Sequence, residues 1–161
     1  MVLGVDVGGV IIERAGDDDD TSIFGPSYLD TPPVADAFDA LAALARAGGR
    51  FADAVWLVSK CGPEVERRTR EWLAYRRFHE RTGIPPERLR FCRTRADKAP
   101  IAAALSLTHF VDDRLEVLGY LGSVDHRFLF RPHPDEVARF ARLLPQVTVV
   151  YGWLELTRLL F

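Results

Sequence analysis

Three short apolar runs, each ending directly at a polar residue, constrain the fold of this 161-residue chain most strongly. Short, continuously apolar runs are typical of strands that a parallel sheet buries on both faces. Strands that alternate with helices indicate right-handed βαβ units, so the sequence predicts a mostly parallel sheet. The runs and the residues that follow them are Val2–Val5 with Asp6, Ala54–Val58 with Ser59, and His109–Val111 with Asp112 and Asp113.

The whole chain, residues 1–161, is predicted to form a single α/β domain. Its length fits one domain that buries a sizeable core. Further strands at 89–92, 128–130 and 147–150 give a sheet of about five or six strands. We therefore expect a three-layer α/β/α sandwich of Rossmannoid type. Helices are predicted at residues 33–47, 63–81, 99–105, 115–121, 135–144 and 153–160.

Residues 10–33 interrupt this pattern after the first strand. They are rich in Gly, Asp and Pro and include the acidic run Asp17–Asp20. Such a composition favours a surface loop or a small hairpin over a packed element. We expect residues 10–33 to form a mobile flap.

The bulk composition argues against several classes of protein. The formal net charge is −2, so no strong field attracts nucleic acid. Arginines between residues 63 and 81 alternate with glutamates, which is typical of a solvated, salt-bridged helix face. No apolar run approaches the roughly 18 residues that span a bilayer. Two cysteines provide neither a disulfide framework nor a metal-ligand spacing, so a cytoplasmic location without membrane association is predicted.

The polar residues that follow the strands are expected to meet at one edge of the sheet. In parallel sheets, ligands bind at the carboxyl ends of the strands, near the topological switch point. Lys98 lies in a loop just before a predicted helix and completes the set. One carboxylate, one hydroxyl, one ammonium group and a carboxylate pair are the groups needed to bind Mg²⁺ and a phosphate and to attack phosphorus.

The acidic residues and the lysine have distinct expected roles. Asp6 can ligate the metal and attack phosphorus, which forms an aspartyl phosphate. Asp112 and Asp113 supply further carboxylates to the metal. Lys98 offsets the charge of Asp6 and of the transferred phosphoryl group.

The phosphate oxygens are expected to be held by a hydroxyl and by backbone amides. The hydroxyl is that of Ser59, and the amides lie around Lys60 and Gly9. The helix that follows Ser59 adds its N-terminal dipole. Each of these residues alone is more often a cap, a turn or a surface residue, so the prediction depends on the set.

In this order along the chain, the residues resemble the motifs of the haloacid dehalogenase (HAD)-like hydrolase superfamily, in its capless form. The resemblance implies that Asp6 is the nucleophile and that Ser59 and Lys98 hold the phosphoryl group. It also implies that the Asp112–Asp113 pair and the backbone carbonyl of Gly8 bind Mg²⁺. Response-regulator receivers use similar residues, but their acidic pair comes first in the chain, which argues against that class.

Gly8 departs from the family pattern, which usually places a second aspartate there as general acid/base. Such a group typically contributes about 10²–10⁴-fold. One interpretation is a phosphatase that uses water or another carboxylate, such as Glu13 or one of Asp17–Asp20. Another is an enzyme restricted to good leaving groups, such as acyl phosphates. A third is a pseudophosphatase that binds a phosphorylated ligand or a protein partner.

The segments 10–33 and 61–97 are too short to contain a large cap domain. A capless site is open, and an open site suits a bulky phosphorylated substrate or closure by a second subunit. A homodimer that covers the site is therefore one expectation.

Overall fold

A computed structural model of the protein describes residues 1–14 and 25–161. Its six strands form one sheet in the order β3-β2-β1-β4-β5-β6, and all neighbouring strands are parallel. This confirms the predicted α/β class. The strands are β1 Leu3–Val5, β2 Val55–Lys60, β3 Leu89–Cys92, β4 His109–Asp112, β5 His126–Phe130 and β6 Thr148–Val150.

Helices cover both faces of the sheet, which gives the three-layer sandwich. Neighbouring residues on β4 point into different apolar clusters, Phe110 into one and Val111 into the other. The cluster around Val111 includes side chains of α1, α2, α3 and α7, and the cluster around Phe110 includes side chains of α4 and α5. The helices are α1 Ala37–Ala45, α2 Pro63–Tyr75, α3 Phe78–Thr82, α4 Lys98–Ala104, α5 Leu115–Tyr120, α6 Pro134–Arg139 and α7 Trp153–Leu160.

The switch point of the sheet lies between β1 and β4. From β1 the chain steps outward to β2 and β3, and it then returns to place β4, β5 and β6 on the other side of β1. Val5 is in register with Leu57 on β2 and with Val111 on β4, so β1 and β4 end at nearly the same level and β2 continues three residues further, to Lys60. The amide of Asp6 donates to the carbonyl of Val111 (2.9 Å) and ties the two central strand ends together.

The helix predicted over 63–81 is divided into two. Helix α2 ends at Tyr75, and Arg77 adopts a left-handed conformation (φ 56°) before α3 begins at Phe78. The turn brings the Phe78 ring edge-on to Phe38, with ring centroids 5.1 Å apart. Burial of this aromatic pair compensates for the strained backbone at Arg77.

The helix predicted over 135–144 is also shorter than expected. Helix α6 ends at Arg139, and a 3₁₀ segment, Ala141–Gln146, continues to β6. Pro145 within this segment has no N–H to donate, which disfavours a regular α-helix there.

The first part of the predicted flap packs into the core. Val10, Ile11 and Ile12 are buried, so the interpretation of this stretch as too polar to pack is wrong for these three residues. Ile12 forms isolated bridges with Gly8 and with Pro33. Residues 28–30 form a 3₁₀ turn. Mobility of the flap stays a prediction, and the acidic run 17–20 lies outside the described residues.

No large cap domain is present in the described ranges 1–14 and 25–161, where the connections between core elements are short. Within the same ranges, no helix combines the length and the apolar composition needed to cross a membrane.

Candidate functional site

The carboxyl ends of β1 and β4 bring three predicted carboxylates together. Asp6 follows β1, Asp112 ends β4 and Asp113 follows it. All three residues are buried, and one carboxylate oxygen from each lies within 4.8 Å of the others. The predicted convergence of these residues at the switch point is thus present in the structure.

Lys98 contacts two of these three carboxylates. It is the first residue of α4 and is only 2% exposed. Its ammonium group donates to Asp6 Oδ1 (2.7 Å) and to Asp112 Oδ2 (2.8 Å). The other oxygen of Asp112 accepts from the amide of Arg114 (2.9 Å). These bonds orient both carboxylates and hold the lysine away from solvent.

Asp113 has a different cation as its partner. The guanidinium of Arg14 forms an ion pair with Asp113 Oδ2. Gly9, at φ 78°, makes this contact feasible because a Cβ on Gly9 would contact the Asp113 carboxylate and lie 2.7 Å from Arg14 Nε. Sequence reasoning missed Arg14, since its approach depends on the path of the chain between Gly9 and Arg14.

The ionisation of the cluster reflects burial and mutual repulsion. Burial and the nearby Asp6 raise the pKa of Asp112 from 3.8 to about 6, although Lys98 opposes this shift. The same two causes, together with Asp112, raise the pKa of Asp113 well above its ordinary value. Burial lowers the pKa of Lys98, but Asp112 and Asp6 outweigh it, so the pKa lies above its ordinary value. Lys98 and Arg14 therefore do not fully offset the burial and mutual repulsion of these carboxylates.

A divalent cation fits this donor set. Three carboxylates offer the hard oxygen ligands that Mg²⁺ and Ca²⁺ prefer. Binding a cation would also relieve the repulsion that raises the pKa values of Asp112 and Asp113. Gly8 lines the same cleft, as expected for a residue that is to offer its carbonyl.

The remaining predicted phosphate contacts are only partly brought together. Ser59 is buried and lines the cleft, and Lys60 lines it as an exposed side chain. The amide of Gly9 instead donates to the carbonyl of Ile12 (2.8 Å). A phosphate contact from Gly9 is therefore not supported.

The cleft itself has a volume of about 240 Å³ and extends beyond the carboxylates. The uncapped N-terminus of α2, at Gly62, opens onto it. Sequence reasoning missed several of its lining residues, since assigning them requires the orientation of each helix. These are Ile12, Arg14, Val65, Thr69, Arg95, Arg114 and Val117.

The carboxylates considered as substitutes for the missing aspartate do not lie in the described part of the cleft. Glu13 pairs with Arg131 (2.6 Å) and does not line it. Asp17–Asp20 lie outside the described residues. The carboxylates among the described lining residues are therefore those of the cluster alone.

The two cysteines contribute no charge to this site. Cys61 lines the cleft, and burial raises the pKa of its thiol. Cys92 lies on the neighbouring strand, and its pKa is raised for the same reason. Both side chains are thus neutral thiols near neutral pH.

Comparison with known proteins adds no relative to this description. No family model matches the chain, and no curated protein matches it significantly.

Proposed function

We propose that the protein is a Mg²⁺-dependent phosphatase of the HAD-like superfamily that acts through an aspartyl phosphate on Asp6. The observation that carries the proposal is the buried contact of Lys98 with both Asp6 and Asp112 at the switch point of the sheet. A lysine held between a nucleophile and a metal-binding carboxylate serves phosphoryl transfer, in which negative charge accumulates around phosphorus.

Each residue then has a chemical role. Asp6, Asp112 and Asp113, with the carbonyl of Gly8, would hold the cation, which would supply the positive charge that offsets the phosphate dianion facing Asp6. Ser59 and the N-terminus of α2 bind the non-bridging oxygens, and Lys98 balances their charge. The exposed ammonium group of Lys60 attracts the anion at the entrance of the cleft.

The missing general acid limits the leaving group. In the first step a bond forms between an Asp6 oxygen and phosphorus, and the bond between phosphorus and the leaving oxygen breaks. An alkoxide needs a proton at that moment, and the described cleft holds no fourth carboxylate to donate one. The carboxylate released from an acyl phosphate needs none. Water then attacks phosphorus, which releases inorganic phosphate and restores Asp6. Acyl phosphates are therefore the substrates that suit this cleft best.

The test is hydrolysis of acetyl phosphate and p-nitrophenyl phosphate with Mg²⁺ by the wild type and Asp6→Asn. We expect turnover, faster with acetyl phosphate, that falls at least about 10²-fold in Asp6→Asn. Asp39→Asn, which removes an exposed carboxylate on α1, is the matched control and should keep full activity. Equal rates for the wild type and Asp6→Asn would contradict the proposal.

A binding module without turnover is the second candidate. Two observations favour it: Gly8 offers no acid, and Arg14 already pairs with the metal-binding residue Asp113. Such a module would bind Mg²⁺ and inorganic phosphate with similar affinity in the wild type and Asp39→Asn, without hydrolysis of either substrate. Closure of the open site by a second copy of the chain stays part of both candidates, and a cytoplasmic location suits both.

A further inference from the structure

The cleft continues from the phosphate end along one face of α2. Gly62, Val65 and Thr69 line it at spacings of three and four residues, which places them on the same side of the helix. Seven residues of helix span about 10 Å. The far end at Thr69 thus lies two helical turns beyond the amides that would bind the phosphoryl group.

Thr69 is a buried side chain whose hydroxyl has no partner among the described residues. It is only 3% exposed, and it lines the cleft. Thr82 and Thr157 also lie in helices, but their hydroxyls donate to the carbonyls four residues earlier (2.8 and 2.7 Å). Thr69 makes no such bond. The Thr69 oxygen is not among the buried polar atoms that lack a partner, so the small exposed part of this residue includes its hydroxyl, and the hydroxyl can bond with a ligand in the cleft.

Apolar side chains form part of the cleft lining. Val65 lies on α2 between the two ends, and the buried Ile12 lines the same cleft. The total volume of about 240 Å³ lies below the roughly 300–1,000 Å³ typical of pockets for drug-sized ligands. This size suits a small organic phosphate better than a segment of a phosphoprotein, in contrast to the bulky substrate expected from an open site.

We propose that this arm of the cleft is a leaving-group subsite and that Thr69 is a specificity-determining residue within it. The inference rests on the proposed phosphatase function. The substrate is a small organic phosphate with an apolar middle portion and a hydrogen-bonding group about 10 Å from the phosphoryl end. Val65 and Ile12 contact the middle portion, and the Thr69 hydroxyl bonds the terminal group.

The test compares pentyl phosphate with 5-hydroxypentyl phosphate, which differ only in the terminal hydroxyl. Binding is measured by calorimetry at saturating Mg²⁺ in Asp6→Asn, and again after adding Thr69→Val, which keeps the shape of the side chain. We expect the hydroxyl to improve affinity about five- to tenfold with Thr69 present and less than about twofold with Thr69→Val. 3-Hydroxypropyl phosphate is too short to reach Thr69 and should gain nothing over propyl phosphate.

Thr157→Val is the matched control, because it removes a threonine hydroxyl on α7 that bonds within its own helix. This variant should bind 5-hydroxypentyl phosphate about five- to tenfold more tightly than pentyl phosphate, as the protein with Thr69 and Thr157 does. Equal affinities of the two pentyl compounds with Thr69 present would overturn the subsite while leaving Asp6-dependent turnover of acetyl phosphate intact. Failure of every phosphate to bind would overturn both the subsite and the proposed function.

Discussion

The ammonium group of Lys98 lies 2.8 Å from the carboxylate of Asp112, and both side chains are almost entirely buried. The same ammonium group contacts Asp6 at 2.7 Å. One cation therefore links the carboxyl ends of β1 and β4 to the first turn of α4. This contact determines both the charge balance of the site and the orientation of the proposed nucleophile.

Replacement of Lys98 should impair both activity and stability. Lys98→Met keeps most of the side-chain volume but leaves Asp6 and Asp112 buried without their cation. We expect a loss of about 3 kcal/mol in unfolding free energy, measured by urea denaturation, and at least about a 10²-fold loss in acetyl phosphate turnover. Lys60→Met changes an exposed lysine of the same cleft and should leave stability unchanged. Equal stability losses in the two variants would contradict the role of Lys98.

Substitution of Gly9 should displace Asp113. Gly9→Ala places a Cβ against the Asp113 carboxylate and strains a backbone at φ 78°. Gly83→Ala is the matched control because Gly83 has φ 75° but nothing within 4 Å of its Cβ position. Both variants should lose about 1 kcal/mol of unfolding free energy through strain. Only Gly9→Ala should weaken Mg²⁺ binding, by at least about tenfold in titration calorimetry. Equal Mg²⁺ affinities would show that Gly9 does not support Asp113.

Metal binding should depend on pH through Asp112. Its pKa is raised from 3.8 to about 6, so without metal the folded state holds a proton between these values that the unfolded chain has lost. The contribution of Asp112 to the unfolding free energy of the metal-free protein therefore falls as the pH rises from about 4 to about 6. Mg²⁺ needs the ionised carboxylate, so the rise in Tm caused by Mg²⁺ should be small at pH 5 and large at pH 7. Asp112→Asn should abolish this pH-dependent gain, and an equal gain at both pH values would contradict the assignment.

Acid should destabilise the opposite end of the sheet through His109. This buried ring stacks on His126, with ring centroids 4.4 Å apart, and burial, His126 and Arg50 lower its pKa from 6.5 to about 4. Between these values the unfolded chain binds a proton that the folded protein rejects, so stability is lost as pH falls. The wild type should lose about 2 kcal/mol more than His109→Phe between pH 7 and pH 4.5. Parallel stability curves for the two proteins would refute this.

A carboxylate at position 8 should broaden the range of leaving groups. Gly8 lines the cleft, and its φ is not positive, so the backbone accepts a side chain there. Gly8→Asp should raise hydrolysis of an alkyl phosphate such as glycerol 2-phosphate by about 10²-fold, with little gain for acetyl phosphate. Gly8→Asn, which offers no acid, is the control. A uniform gain across both substrates would indicate an effect other than protonation of the leaving group.

The sheet and the central cluster could be predicted because their signals are local. Continuous apolar runs identify β1, β2 and β4, and parallel strands bring their carboxyl ends together whatever the details of packing. Asp6, Asp112 and Asp113 therefore converge as expected. The place of Lys98 in the site could be predicted because it comes directly before a helix. Its near-complete burial could not, because a charged residue in a polar loop is usually exposed.

The contacts that escaped prediction depend on the path of the chain between elements. Arg14 reaches Asp113 only because the segment from Val10 to Ile12 is buried and turns it back towards the site. No glycine or proline marks the break between α2 and α3 at Arg77. The burial of Phe78 favours this break, and burial cannot be read from the local sequence. Thr69 occupies a helix face whose orientation towards the cleft is set by packing, and the sequence around it suggests only a solvated helix.

Covalent labelling of Asp6 tests the central claim most directly. The protein is incubated with acetyl phosphate and Mg²⁺, quenched with acid and reduced with borohydride, which converts an aspartyl phosphate to the corresponding alcohol. Mass spectrometry of the N-terminal peptide then locates the modification. We expect reduction at Asp6, dependent on Mg²⁺ and reduced at least about tenfold in Lys98→Met. Modification of a residue other than Asp6 would contradict the account. So would hydrolysis of acetyl phosphate with no modification of Asp6 at any quench time.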